Sequence, residues 1–425
     1  MTYPIHIAGA VLRDAQLHGA LISWDDHGWL GWEESAAAAA DAPNAGSQGY
    51  VTQSRLIDIH CHGVRHHDFS GDAAIDYADV EAAAEADGCL LVPSIFMSPE
   101  QLPLFEQKVR DYGQYRASRP DSRIIGVSLE GPLLASRGGT PASGAWLPDK
   151  AQWKRIAALA DHGLLYVVLA PDALAPSSAL AQQGLERSPS TDWIVDLLVE
   201  AGIGISVGHL SKGDPARTMA DIDHLVARCL ERHHAARLMT DHLFNDMPIN
   251  FTSSWRTLAA RARRRDDLAR DRVDLWGWGN LAETVGPVPA RILELARDEA
   301  MSIALNLDGH HIDPVICRRT IELVGADRVI AMTDRLESGV MAGQALTCRP
   351  GSTLWFHPSG RVAAGTSNMD LQFANARALG CDEPTCWRLT GANAAKWLSL
   401  DDPYGTYVNI AGVFEPLPHP WPSAA

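Results

Sequence analysis

The chain has 425 residues, of which 46% are hydrophobic and 21% charged, and its formal net charge is −16. That length and balance suit a globular protein built as one large barrel-type domain with a small appendage, or as two to three ordinary domains. The acidic charge argues against nucleic acid or an anionic membrane surface as the main partner, and an anionic substrate would need a local basic pocket.

Seven cysteines without paired spacing read as reduced thiols. No apolar stretch reaches membrane-spanning length, and Met1-Thr2-Tyr3-Pro4 is not a basic region leading into an apolar run. The expectation is a soluble, cytoplasmic protein.

In chain order, short β-like pieces come first: Ile5 to Leu12, Gly19 to Trp24 and Trp29 to Trp32. A run of alanines with Asp, Pro, Asn and Gly follows, Ala36 to Gly49, and reads as a loop. From Leu56 the pattern changes to apolar runs of strand length separated by helical stretches. The runs are Leu56 to His60, Cys89 to Phe96, Ile124 to Leu129, Leu164 to Ala170, Ile203 to Val207, Arg237 to His242, Ile303 to Leu307 and Val329 to Thr333. Continuous apolar runs are expected of parallel strands buried on both faces. Helices fit between them, at Tyr77 to Asp87, Pro99 to Tyr115, Lys150 to His162 and Thr191 to Ala201.

Eight strands alternating with helices predict an α/β fold, a (β/α)8 TIM-type barrel. No Gly-rich phosphate turn follows the first strand, which disfavours a doubly wound open sheet. The long connection Asn250 to Met301 carries an arginine run, Arg261 to Arg270, that reads as a solvated helix face. Gly/Ser/Thr-rich turns at Gly360 to Ser367 precede helices at Leu371 to Leu379 and Pro384 to Leu398. Tail strands within Tyr404 to Val413 are placed to return to the amino-terminal pieces. The division expected is 1–53 and 401–425 as the two parts of a small β-sandwich domain, with 54–400 as the barrel.

The ends of the predicted strands hold the chemistry. His60 and His62 lie one residue apart, so on a strand both imidazoles point to one side while Cys61 points away. Glu130 follows the third strand, His209 the fifth, His242 ends the sixth and Asp334 follows the eighth. Active sites of this fold sit at the carboxyl ends of the strands, so these six side chains should converge. Hydrogen-bonding histidines would scatter among helices and loops, as His162, His224, His233 and His234 do. Imidazole and carboxylate donors suit a divalent metal, zinc first, with iron or manganese as alternatives, as one ion or two. Glu130 could bridge two ions. Such a centre implies hydrolysis of an amide, ester or cyclic imide, or deamination, with Asp334 as proton carrier.

Further segments carry a resemblance: Leu129-Glu130-Gly131-Pro132, Gly208-His209-Leu210-Ser211, His242-Leu243-Phe244-Asn245-Asp246-Met247-Pro248, Asp308-Gly309-His310-His311-Ile312-Asp313, Thr333-Asp334 and Ala364-Gly365-Thr366. In order from about Leu56 to Leu400, the chain resembles the N-acetylglucosamine-6-phosphate deacetylases of the amidohydrolase superfamily. The resemblance implies that Glu130, His209 and His242 are the principal metal ligands, that His60 and His62 mark a second metal site, and that Asp334 is the catalytic carboxylate and a possible further ligand. It also implies that Asn245, the backbone at Asp246, and His311 hold the sugar phosphate, and that the protein is a homodimer.

The pattern departs at Gly144-Ala145-Trp146, where the family has Gly-Ala-His and so a histidine near the acyl group, with Ala145 kept among the expected substrate-binding residues; at Asp246, usually alanine; at Ser253, near where a phosphate-binding arginine is expected; and at Arg65-His66-His67, which replaces a Gly-rich turn. Arg256 could substitute for the missing arginine. The activity implied is removal of acetate from a small-molecule amino sugar. Another amidohydrolase activity, such as N-acyl amino-acid deacylation, and a non-catalytic metal-binding scaffold stand as alternatives.

Overall fold

The computed structural model describes residues 5–13, 16–25, 28–34, 49–176, 178, 180, 188–401, 405–409 and 414–416. The early strands are β1 (Ile5–Arg13), β2 (Gln16–Asp25), β3 (Gly28–Glu34) and β4 (Gly49–Thr52). The barrel strands are β5 (Leu56–Gly63), β6 (Cys89–Ile95), β7 (Val127–Glu130), β8 (Leu164–Leu169), β9 (Gly204–Val207), β10 (Leu238–His242), β11 (Ser302–Asn306) and β12 (Val329–Met332). These eight pair in chain order, each parallel to the next. They are the eight apolar runs of the sequence, with ends shifted by up to three residues.

Closure comes two residues past β12. There β13 (Arg335–Leu336) pairs parallel with β5, Arg335 opposite Cys61. Asp58 pins this seam: its Oδ2 accepts the Thr333 hydroxyl at 2.5 Å and its Oδ1 the Thr333 N–H at 3.3 Å. Burial pushes the Asp58 carboxyl up to about 6, against these donors. The seam sets Asp334 beside the two histidines of β5.

Helices cover the outside, several of them started by a side-chain cap. Ser190 accepts from Trp193 N–H ahead of Thr191–Glu200, and Asp149 forms a capping box with Gln152 ahead of Lys150–Ala157. Pro215–Glu231 buries Thr218, Ile222, Leu225, Val226 and Cys229, a stripe at helical spacing.

The terminal segments meet in one six-stranded sheet. Thr406–Asn409 pairs with β4, and Phe414–Pro416 lies outside it. Within Ala36 to Gly49 only Gly49 is described, and Tyr404, 410–413 and the Pro-rich tail also lie outside the described residues. Tyr50 of β4 ties this sheet to the barrel: its hydroxyl accepts from Trp387 Nε1 at 2.8 Å and donates to Glu383. Trp387 is 2% exposed. Trp387→Ala should therefore cost about 3–5 kcal/mol and lower the apparent thermal midpoint, followed by circular dichroism. An unchanged midpoint would mean that the joint carries no stability.

The long connection forms short helices, Leu258–Ala262 and Arg264–Asp271, then Leu281–Thr284 and Pro287–Arg297. Arg263, Arg265 and Arg270 are exposed, the last paired with Asp267 and Asp271. Arg264 reaches the buried Asp313, which itself caps the helix Pro314–Val324. At Gly360 to Ser367, read as turns, Val362–Gly365 is a strand, because Val-Ala-Ala is an apolar run that pairs with Leu354–Phe356. It continues the barrel sheet beyond β13 and walls one side of the site. Among the described residues, no helix is long and apolar enough to cross a membrane.

Candidate metal centre and cavity

The six strand-end residues come together. His60, His62, Glu130, His209, His242 and Asp334 are between 1% and 7% exposed. Cys61 packs on the far side of β5, fully buried. Two of the six have left-handed backbone, His209 at φ 54° and Asp334 at φ 51°, which costs about 1–3 kcal/mol each and clusters at functional sites. Both turns are held. Asp334 N–H donates to His60 O at 3.0 Å, Gly365 N–H donates to Asp334 O at 2.7 Å, and Ser136 N–H donates to His209 O at 2.8 Å.

Glu130 sits between two groups of imidazoles. Its Oε1 is 2.7 Å from His209 Nε2 and 3.9 Å from His242 Nε2. Its Oε2 is 3.4 Å from His62 Nε2 and 3.9 Å from His60 Nε2. Asp334 faces two histidines, with Oδ1 3.3 Å from His62 Nε2 and Oδ2 3.3 Å from His311 Nε2. His311 is held by Asp308, Nδ1 to Oδ2 at 2.7 Å.

The electrostatics call for cations. Burial would raise the Glu130 carboxyl, but His62 and His209 outweigh it and hold it below its ordinary range. Asp334 is held well below its range by His311 and His62, again against burial. Burial disfavours charged imidazole, yet Asp241 pushes His60 up to about 10, and Asp308 pushes His311 up to about 9. Asp246 and Glu130 raise His209 well above its usual value.

Among the described residues, buried Glu130 Oε2 has no hydrogen-bond partner. An unpaired buried carboxylate oxygen among Nε2 atoms needs a cation, and the nitrogen and oxygen donors suit a divalent metal. Glu130, His209, Asp241 and His242 form one group whose ligand atoms all lie within 4.8 Å of one another, and His60, His62 and Glu130 form a second.

Asp241 was not legible as a site residue. Strict alternation puts it on the opposite face from His242. A register slip in β10 against β11, between Met239 and His242, inserts one extra residue and turns both side chains into the barrel mouth. The adjacent Asp-His at a strand end was the available signal.

The centre opens into a cavity of about 380 Å³, the size of a small-ligand pocket. Of the expected substrate-binding residues, Asn245, Asp246, His311 and Arg256 line it, while Ala145 does not; Ala145 and Trp146 are packed in the core. Trp146 donates its indole N–H to Met97 O at 2.9 Å. Arg256, half-buried, donates to Asn245 Oδ1 at 3.0 Å. Asp246 accepts from Ser136 Oγ at 2.8 Å, lies 2.9 Å from Lys212 Nζ, and faces His209 Nδ1 at 3.2 Å. Its charge is thus matched and it orients a metal-facing histidine. Lys212 and Arg361, not singled out from the sequence, add two cations to the lining.

No family model matches the chain, and no curated protein matches it. Solved structures do. An N-acetyl-D-glucosamine-6-phosphate deacetylase mutant from Mycobacterium smegmatis, in complex with N-acetyl-D-glucosamine-6-phosphate, aligns with a TM-score of 0.65 at 22% identity over 97% of this chain and 96% of that one. The N-acetylglucosamine-6-phosphate deacetylase of Thermotoga maritima gives 0.67 at 14% identity, over 97% and 96%. That of Pasteurella multocida gives 0.66 at 14%, over 97% of both chains. The chain shares the fold of these deacetylases along nearly its whole length.

Proposed function

We propose that this protein is a metal-dependent hydrolase that removes acetate from N-acetylglucosamine-6-phosphate, or from a closely related N-acetylated amino sugar, leaving the amino sugar. One observation carries the reading: buried Glu130, His209 and His242 converge with Asp334 on a cavity whose lining holds Lys212, Arg256 and Arg361. The shared fold supports it. A scaffold without turnover would have no use for a buried carboxylate such as Asp334 facing the cavity beside a full donor set.

Glu130, His209 and His242 would hold the principal ion, zinc in this proposal, and His60 and His62 a second. Such an ion lowers the pKa of water and polarises a carbonyl oxygen. Asp334, ionised, takes the proton of the water that adds to the acetyl carbon, and returns it to the sugar nitrogen as the C–N bond breaks. His311 and His62 flank Asp334 and keep its carboxylate aimed into the cavity. Asn245, Asp246 through its backbone, His311 and Arg256 are the proposed sugar-phosphate contacts. Residues 54–400 are the proposed catalytic unit, with 1–53 and 401–425 as a small β domain; a cytoplasmic homodimer belongs to the same proposal.

On a chain with net charge −16 an anionic substrate needs these local cations. Arg256→Met should raise KM for the phosphorylated sugar about 10-fold or more with little change in kcat, and leave the unphosphorylated sugar unaffected. Equal effects on both substrates in steady-state kinetics would remove Arg256 from phosphate binding. The proposed activity is tested by acetate release from both sugars with Zn²⁺ supplied.

A further inference from the structure

The carboxylate of Asp241 lies where the two donor groups meet. Its Oδ2 is 3.2 Å from His242 Nε2 and 3.6 Å from His209 Nε2, and has no hydrogen-bond partner among the described residues. Its Oδ1 is 3.1 Å from His60 Nδ1, the ring nitrogen remote from Glu130, within ion-pair distance though not in hydrogen-bond alignment. The other nitrogen, His60 Nε2, faces His62 Nε2 at 3.1 Å. The carboxylate is 1% exposed.

The backbone is shaped to admit it. The slip in β10 turns Asp241 inward, and Gly208 on the neighbouring turn leaves the room: a Cβ there would lie 2.5 Å from Asp241 Cβ. A buried carboxylate with no Lys or Arg partner among the described residues calls for another cation.

We infer that Asp241 serves both halves of the metal centre, with Oδ2 a fourth ligand in the Glu130–His209–His242 group and Oδ1 the acceptor that fixes His60 for a second ion. The inference rests on the metal-dependent reading above but not on its substrate. A proton on His60 Nδ1 turned to Asp241 would leave Nε2 free to ligate, the usual arrangement of a carboxylate behind a metal-bound histidine. Glu130, whose two oxygens face different imidazoles, would be shared by the two ions. Glu130, Asp241 and Asp334 are three buried carboxylates, a charge of −3 that calls for at least one divalent ion; the number of ions, two, rests on the two donor groups, since one ion leaves −1 and two leave +1. Asp246 and Asp308 fall outside that count, matched by Lys212 with His209 and by His311.

The test is metal counting by mass spectrometry on full-length protein equilibrated with buffered Zn²⁺, repeated with Co²⁺ to read the ligand-field spectrum. The expected result is two ions per chain in the native sequence and one in His60→Ala. In Asp241→Asn, which keeps shape and removes charge, affinity should fall about 10–100-fold for the ion at His60 and His62 and at least as much for the ion Asp241 ligates directly, and the Co²⁺ spectrum should change. Asp241→Ala should do the same or worse, with circular dichroism reporting that each variant is folded. Two ions at native affinity in folded Asp241→Asn and Asp241→Ala would overturn the assignment while leaving the deacetylase proposal standing. One ion in the native protein at saturating Zn²⁺ would overturn the two-ion part. No bound metal at all would overturn the deacetylase proposal as well.

Discussion

Asp334→Asn is expected to lower kcat for acetate release by about 10²–10⁴-fold, the range for loss of a positioned proton carrier. Asparagine fills the same volume and can still face His62 and His311, which lie 3.3 Å from the two carboxylate oxygens. It cannot take a proton from water. Since Glu130, His209 and His242 are untouched, metal content should persist, read on the same sample by mass spectrometry. Loss of metal together with activity would recast Asp334 as chiefly a ligand. Retained activity would remove it from the chemistry.

Glu130→Gln is expected to have the second large effect, by a different route. Each oxygen of Glu130 faces its own set of imidazoles, and Oε2 has no hydrogen-bond partner among the described residues. The amide keeps the volume but withdraws one negative charge from both groups at once and points N–H donors at nitrogens that must act as donors to metal. Breaking one partner of a buried charged set costs about 3–5 kcal/mol. Affinity for Zn²⁺ should fall about 100-fold or more, beyond the 10–100-fold typical of residues behind the ligands. Turnover at limiting Zn²⁺ should vanish and return in part at high Zn²⁺. Full activity without added Zn²⁺ would show that Glu130 is not a ligand.

The barrel was legible because its strands are buried on both faces and so read as unbroken apolar runs, from Leu56 to Met332. The strand-end donors were legible for the same reason: a polar residue closing an apolar run stands out, as His60, His62, Glu130 and His242 do. Other features depend on local departures from regular geometry. Asp241 enters the site only because of an extra residue in β10, which periodicity cannot foresee. Lys212 and Arg361 reach the cavity from a loop and from the residue before Val362–Gly365, and neither has a period to betray it. Ala145 was expected near the substrate by motif position alone, and it is buried among core side chains. Asp246, suspect as a repellent of phosphate, is neutralised by Lys212 across a sequence gap that no local pattern links.

The central claim is metal-dependent deacetylation at Glu130, His209, His242 and Asp334. It is tested most directly by incubating the purified protein, metal-stripped and then reloaded with Zn²⁺, with N-acetylglucosamine-6-phosphate and its unphosphorylated analogue. Acetate release should require the metal and be faster with the phosphorylated sugar. A Zn²⁺-loaded protein that releases no acetate from either sugar would contradict it.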